Sequence, residues 1–329
     1  MFQTPLCKLL GIKYPIIQGA LGSRARPVGD ARPVGDADLV SAVSAAGGLG
    51  VLCTWNQPIR RVFKEIEKVR SLTDKPFAVN VAATHSSFDF SKKVKALAEA
   101  GVRIVTTGRG DPNIPAISIL KDNGIIVIPV VGNIKQAVKV EKKGADAVVA
   151  SGCEAGGHVG RITTLTLVPQ VVDAVKIPVI AAGGIGDARG FVAALALGAC
   201  GVQMGTRFVV TRESVAAPEL KKMILQASSD DTVVTTMRTG WPTRTLKSRF
   251  TEEWDRLNKA GASPGELRDF RRMVLKRVKE DARQDTIGAG QICGMLHDLK
   301  GAKEVIEEMI KDACEIVSGL ENTKLDRSP

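Results

Sequence analysis

The residues best suited to chemistry lie between Ala145 and Gly160, in Ala-Asp-Ala-Val-Val-Ala-Ser-Gly-Cys-Glu-Ala-Gly-Gly-His-Val-Gly. A short apolar run, Ala147–Ala150, of the kind a buried parallel strand shows, breaks there into a loop containing Gly152, Gly156, Gly157 and Gly160. The loop carries one acid, Glu154, one thiol, Cys153, and one imidazole, His158, in a chain with three histidines. Glycines let a backbone approach a flat ligand closely and adopt positive φ, which side chains disfavour. An imidazole, with an unperturbed pKa of roughly 6.5, can give or take a proton at neutral pH. A tight surface turn with an incidental histidine has the same composition, so the surroundings must separate the two readings.

A second group of residues suits phosphate. Gly183-Gly184-Ile185-Gly186 follows one apolar run and Gly205-Thr206-Arg207 falls within the next. In a barrel of alternating strands and helices, glycine-rich turns after the seventh and eighth strands bind phosphate through backbone N–H groups and a short helix N-terminus. Gly183, Gly184 and Gly205 fit that description, and Thr206 adds a hydroxyl donor. Further polar or glycine positions at strand ends are Gln18-Gly19-Ala20, Thr54, Asn80 and Thr106-Thr107-Gly108.

The elements that must position these groups recur along the first two thirds of the chain. Eight short apolar runs stand at Pro15–Leu21, Gly48–Cys53, Phe77–Ala82, Arg103–Thr107, Ile125–Val131, Ala147–Ala150, Pro178–Ala182 and Gly201–Val209. Helical periodicity lies between them over Arg60–Val69, Ser91–Ala100, Ile134–Lys143, Leu167–Val175 and Ala188–Leu197. Strand–helix alternation of this kind means βαβ units on a parallel sheet, and eight of them predict a closed (β/α)8 TIM barrel. The pattern stops after Thr211. Ser263-Pro264-Gly265-Glu266 is a capping box with proline at the first helical position, and Ala302–Ser318 has Val305, Ile306, Met309, Ile310, Ala313 and Ile316 on one face. The expected organisation is a barrel over 1–214, a mostly helical cap over 215–295, and a segment 296–329 whose helix returns to the barrel. The cluster Arg268, Arg271, Arg272, Lys276, Arg277, Lys279 reads as a solvated helix face. A perfect tandem, Arg26–Ala31 and Arg32–Ala37 (each Arg-Pro-Val-Gly-Asp-Ala), lengthens the first strand-to-helix loop. It is either a cover for the site or a slipped duplication without function.

Composition narrows the function classes. Hydrophobic residues at 44% and charged residues at 25% are those of a soluble globular protein, and no apolar run approaches the ~20 residues that cross a membrane. The first residues lack the basic-then-apolar order of a signal peptide, so a cytoplasmic location is expected. Six scattered cysteines without a C-x-x-C pair argue against a zinc site or a disulfide framework. The net charge of +11 lies almost wholly before residue 211, and aromatic residues make up 4%, which leaves no stacking platform for bases. A basic rim for an anionic substrate or an acidic partner protein fits better than nucleic acid.

Together, Pro15-Ile-Ile-Gln-Gly19, Ala46-Gly-Gly-Leu-Gly50, Lys75-Pro-Phe-Ala-Val-Asn80, Glu154-Ala-Gly-Gly-His-Val-Gly160, Pro178-Val-Ile-Ala-Ala-Gly-Gly184 and Gln203-Met-Gly-Thr-Arg-Phe208 resemble the nitronate monooxygenase (2-nitropropane dioxygenase) superfamily of FMN-dependent barrels. The resemblance runs from about Leu9 to Glu308. Val105-Thr-Thr-Gly-Arg-Gly110, Ile126-Val-Ile-Pro-Val-Val131 and Ala289-Gly-Gln-Ile-Cys-Gly294 are similar to the branch of flavin-dependent enoyl-acyl-carrier-protein reductases, type II, from which the duplicated first loop departs.

The resemblance implies an FMN oxidoreductase, with NAD(P)H as co-substrate if the reductase branch applies. Gly19 and Ala20 would lie against the flavin ring, Asn80 would hydrogen-bond near the flavin or substrate, and Gly183, Gly184, Gly205 and Thr206 would cradle the phosphate, with Glu154 in the same cofactor set. His158 is similar to the family's catalytic histidine. In enoyl reduction it would orient or protonate toward a thioester carbonyl; in nitronate oxidation it would take the acidic α-proton of a nitroalkane or position the nitronate. An NADH:quinone reductase is a third relative, and a flavin-storage module without turnover is the non-enzymatic alternative. Cys153 as a nucleophile lacks an evident base to lower its pKa. The implied partners are a small-molecule or acyl-thioester substrate, an acidic acyl carrier protein, and a second copy of the chain in a homodimer.

Overall fold

The computed structural model describes residues 2–22, 33–55, 57–81, 87–108, 114–237, 239–280 and 288–322. Its strands are β1 (Ile16–Gln18), β2 (Gly50–Cys53), β3 (Phe77–Val81), β4 (Ile104–Thr107), β5 (Ile126–Val131), β6 (Val148–Ser151), β7 (Gly157–His158), β8 (Val179–Ala182), β9 (Gly201–Met204), β10 (Thr232–Thr235) and β11 (Thr243–Leu246). Eight of them form one parallel sheet in the order β1-β9-β8-β6-β5-β4-β3-β2. A parallel bridge between Ile17 and Leu49 closes the ring between β1 and β2. The chain is a (β/α)8 barrel.

Alternation along each strand gives two apolar layers. Ile17, Val51, Ala78, Ile104, Ile128, Val149 and Ile180 point into the barrel, where they form one buried cluster. Val79, Val105, Val127, Val148, Ala181 and Val202 point outward into the larger cluster shared with the helices. Burial on both faces is why these strands read as continuous apolar runs rather than as alternating ones. The bottom is plugged by α1 (Pro5–Leu10), whose Leu6, Cys7 and Leu10 join the interior cluster. Thr4 Oγ1 anchors it on Cys200 O at 2.6 Å, just before β9.

Gln18 finishes the closure. Its side chain is fully buried, with Oε1 accepting from Val51 N at 3.1 Å and Nε2 donating to Val51 O at 3.3 Å and to Gly19 O. One carboxamide thus replaces ladder bonds where the short β1 meets β2.

The outer helices are α2 (Ala37–Ala45), α3 (Ile59–Leu72), α4 (Ser87–Glu99), α5 (Ile114–Asp122), α6 (Ile134–Glu141), α7 (Thr164–Ala174) and α8 (Ala188–Ala196). The expected eighth strand, Gly201–Val209, is split. The strand stops at Met204, Gly205 is the N-cap, and α9 (Thr206–Val209) follows. Of the tandem, residues 26–32 lie outside the described residues. The end of the second copy is structural: Val34 is buried, and Asp36 caps α2 by accepting from Asp38 N and Leu39 N.

Beyond the barrel come α10 (Pro218–Gln226), the β10–β11 hairpin, α11 (Arg249–Lys259), α12 (Pro264–Glu280) and a 3-10 turn over Gln291–Met295. The hairpin has no counterpart in the sequence reading. It pairs antiparallel with β7, so a small three-stranded sheet ties the hairpin to the loop after β6. The last helix, α13 (Ala302–Glu321), packs against α2 and α8. No helix among the described residues is long and apolar enough to cross a membrane.

Candidate active site

The C-terminal ends of the strands form one mouth, and the polar residues singled out from the sequence gather around it. Asn80, at the end of β3 and nearly buried, donates through Nδ2 to Thr106 Oγ1 at 2.9 Å on β4. Thr54, after β2, donates to Asn80 O at 2.7 Å and accepts from Lys93 Nζ at 3.1 Å. Across the mouth, Gly19 faces Gln203, whose carboxamide would lie 3.2 Å from a Cβ added at Gly19. Glycine there keeps a β1 loop and a β9 side chain in contact, and Ala20 follows on the same wall.

The phosphate-type loops sit above β8 and β9. Gly183 and Gly184 both have positive φ, +97° and +68°. Their roles separate on contact. A Cβ on Gly183 would stand 2.9 Å from Thr164 Oγ1 and 3.1 Å from Gly152 O, so Gly183 is glycine in order to pack. Among the described residues, the atoms nearest a Cβ on Gly184 belong to the Glu154 side chain, at 3.6 Å, and a Cβ on Gly205 would reach only Leu21, at 3.5 Å. α9 starts at Gly205 without a side-chain cap. Thr206 Oγ1 accepts from Gly290 N at 2.9 Å, and its hydrogen has no acceptor among the described residues. Open backbone, an uncapped helix start and one spare hydroxyl hydrogen fit an anionic phosphate.

Glu154 serves this cradle from beneath. Its carboxylate accepts Thr164 N at 2.9 and 3.0 Å and lies 3.0 Å from Thr164 Oγ1, at the N-terminus of α7. Thr164 Oγ1 is also 2.9 Å from Gly183 O, which links the loops after β6 and β8.

His158 stands on β7, opposite Thr243 of β11, and is exposed. Its Nε2 lies 3.3 Å from Thr239 Oγ1 in the hairpin loop. The imidazole is therefore held by the β10–β11 hairpin, although the loop that carries it springs from the barrel. Burial pushes the Cys153 thiol up from the ordinary value, and Glu154 beside it adds to the effect.

Sequence reasoning missed the segment 289–296. It lies across three of the site loops. Gln291 N donates to Glu154 O at 2.9 Å, Gly290 N donates to Thr206 Oγ1, and Ile292 packs so tightly on Gly186 that a Cβ there would meet it at 2.5 Å. The signal was the motif Ala289–Gly294, noted above without a role. Arg207, expected in the eighth strand loop, is instead a buried tie to this C-terminal region, through Asp298 Oδ1 at 2.8 Å and Asp298 O at 2.9 Å.

Comparison with known proteins agrees with this architecture. The chain is 36% identical over 94% of its length, and 96% of the relative's, to a (3aS,4S,5R,7aS)-5-hydroxy-7a-methyl-1-oxo-octahydro-1H-indene-4-carboxyl-CoA dehydrogenase of Mycobacterium tuberculosis. It is 32% identical over 96% of its length, and 99% of the relative's, to a probable nitronate monooxygenase of Staphylococcus saprophyticus. The solved structure of FabK from Thermotoga maritima superimposes with a TM-score of 0.87 at 39% identity, covering 98% of this chain and 99% of that one. The family model for nitronate monooxygenase matches residues 3–89 and 82–312. The chain is an oxidoreductase and belongs to the nitronate monooxygenase family.

Proposed function

We propose that the protein is an FMN-dependent oxidoreductase that reduces a 2-enoyl thioester, carried on coenzyme A or an acyl carrier protein, with NAD(P)H as reductant. The observation that carries the flavin reading is the bare backbone at Gly184 and Gly205 beside the spare hydroxyl hydrogen of Thr206. These groups would hold the FMN phosphate. Asn80, Gln203 and the Gly19–Ala20 backbone line the mouth that would receive the flat ring. Bound FMN supplies the hydride chemistry.

The protein's own contribution is orientation and proton handling. Asn80 is fixed by Thr106, so its carboxamide meets a ring in one orientation. His158 donates a hydrogen bond to the thioester carbonyl, where negative charge develops as a hydride reaches the β-carbon. The thioester choice draws on the relative from Mycobacterium tuberculosis, whose name is that of a carboxyl-CoA dehydrogenase.

A second reading, oxidation of alkyl nitronates by dioxygen, is favoured by the relative from Staphylococcus saprophyticus. Product analysis separates the two. The proposal predicts NAD(P)H consumption coupled to saturation of crotonyl-CoA, and loss of ~10²–10⁴-fold in kcat for His158→Ala with the flavin spectrum kept. Nitrite release from propyl nitronate, with no NAD(P)H oxidation, would replace it by the second reading.

A further inference from the structure

We propose that Trp241 and Arg271 form a subsite for an adenine nucleotide beside His158, where the indole stacks on the base and the guanidinium binds a phosphate. Coenzyme A and NAD(P)H both carry that group, so the link between this subsite and turnover rests on the enoyl-thioester reading above.

Trp241 lies in the loop between β10 and β11, two residues before Thr243, the residue opposite His158. It is 67% exposed, in a chain whose aromatic residues make up 4%. Its backbone is nevertheless fixed on both sides. Trp241 N donates to Thr239 Oγ1 at 3.2 Å, and Trp241 O lies 3.0 Å from Thr243 Oγ1. Pro242 follows, and its carbonyl accepts from Val159 N at 3.0 Å, which extends the ladder of the His158 strand. A large flat ring on a fixed backbone loses little conformational freedom when it takes a ligand, and it contributes contact area at low entropic cost.

Arg271 supplies the charge. From α12 it donates through Nε to Met237 O at 2.7 Å and through Nη2 to Thr236 O at 3.3 Å. Thr236 O also accepts from Gly240 N at 2.9 Å, so one carbonyl ties the loop to itself and to α12. Gly240 has a φ of +80°, and a Cβ there would stand 4.0 Å from both Nη1 and Nη2. The guanidinium therefore sits next to the residue that precedes Trp241. Its plane is set by the buried Trp254 ring, 5.5 Å away. A guanidinium has five N–H donors, and Nη1 donates to no acceptor among the described residues.

No carboxylate among the described residues neutralises it. Glu266 is spent on Ser263, accepting from its N and Oγ at 2.8 Å, and Asp269 faces Arg272. Arg268, one turn before Arg271 on the same helix face, has no ion pair among the described residues either. Arg271 is thus more than part of a solvated face. An exposed indole alone would suit any apolar group. Beside a fixed guanidinium with N–H groups to spare, it suits a flat base that carries phosphate, because such a fork matches phosphate oxygens.

The test is calorimetric titration of the full-length, FMN-loaded protein, its flavin site filled, with three probes and with adenosine. The probes are adenosine 3′,5′-bisphosphate for coenzyme A, 5′-ADP for NADH and 2′,5′-ADP for NADPH. The proposal predicts that at least one probe binds more tightly than adenosine, and the probe preferred names the source. In Trp241→Ala that probe binds about ten- to a hundredfold more weakly, the loss of one stacked base, whereas Trp241→Phe stays close to the unmodified protein. In Arg271→Gln the preference for the probe over adenosine disappears. Binding of none of the three probes, or equal affinity in Trp241→Ala, would overturn the proposal. Binding needs no turnover: if crotonyl-CoA is not reduced while the probe still depends on Trp241, the proposed reaction falls and the subsite stands.

Discussion

Gly156 and Gly290 meet back to back. A Cβ added to Gly156 would stand 2.8 Å from Ala289 C and Gly290 N, and one added to Gly290 would stand 2.8 Å from Glu154 O and 3.0 Å from Gly156 N. The loop after β6 and the C-terminal segment therefore touch through bare backbone, and Gln291 N–H to Glu154 O is made at that contact. Backbone cannot step aside as a flexible side chain does, so a methyl group on either residue forces the two segments apart.

Gly290→Ala is thus expected to cost about 1–3 kcal/mol, the range for overpacking a close contact. Because Gly290 N also donates to Thr206 Oγ1, flavin affinity should fall with it. Thermal melting and an FMN titration of the apoprotein check both. Gly108→Ala makes a control, since among the described residues a Cβ there meets nothing within 4 Å.

Gln18 tests the barrel closure. Its carboxamide satisfies Val51 N and Val51 O inside a fully buried seam. Gln18→Leu leaves those groups without partners, at about 1–3 kcal/mol for each unsatisfied buried group. Denaturant melts should show a lower midpoint at an unchanged m-value, since the fold and the surface it buries stay the same.

Much of the barrel was legible in the sequence because strands buried on both faces must be apolar throughout. The cap sheet was not. β10 and β11 are rich in threonine, Thr232-Val-Val-Thr235 and Thr243-Arg-Thr-Leu246, and neither the apolar run nor the alternating pattern that marks a half-buried strand appears there. α9 was hidden for the opposite reason: Thr206–Val209 continues an apolar run, and only Gly205 as N-cap turns it into a helix. Gly184 and Gly205 were found as open turns. Gly183, Gly156 and Gly290 look alike in sequence but owe their identity to neighbours far along the chain, such as Thr164 Oγ1 for Gly183. The tie from Arg207 to Asp298 spans 91 residues, which no local pattern records.

Asp298 sets an acid-side limit on stability. Partial burial pushes its carboxyl up, but hydrogen bonds from Lys300 and Arg207 outweigh that and hold it below the usual carboxylate range. A depressed native pKa contributes stability that is present above the unfolded value, roughly 3.9, and lost as pH falls through the native one. The melting temperature of the unmodified protein should drop in that acid window, and the drop should be shallower in Asp298→Asn. At neutral pH the variant should melt lower, because it leaves the buried Arg207 guanidinium without its charge partner.

Thr206→Val probes the phosphate cradle with little change of shape. It removes the hydroxyl that accepts Gly290 N–H and the hydrogen offered to phosphate. A charge-assisted bond contributes about 1.5–3 kcal/mol, so FMN should bind about ten- to a hundredfold more weakly. An equal affinity in the variant would place the phosphate elsewhere.

The most direct test of the account is anaerobic mixing of the flavin-loaded protein with NADH or NADPH, followed by crotonyl-CoA, with flavin absorbance as the readout. The account predicts rapid bleaching by one nucleotide and return of the oxidised spectrum on adding the thioester. Bleaching only by a propyl nitronate, or return of colour only with a quinone, would contradict it.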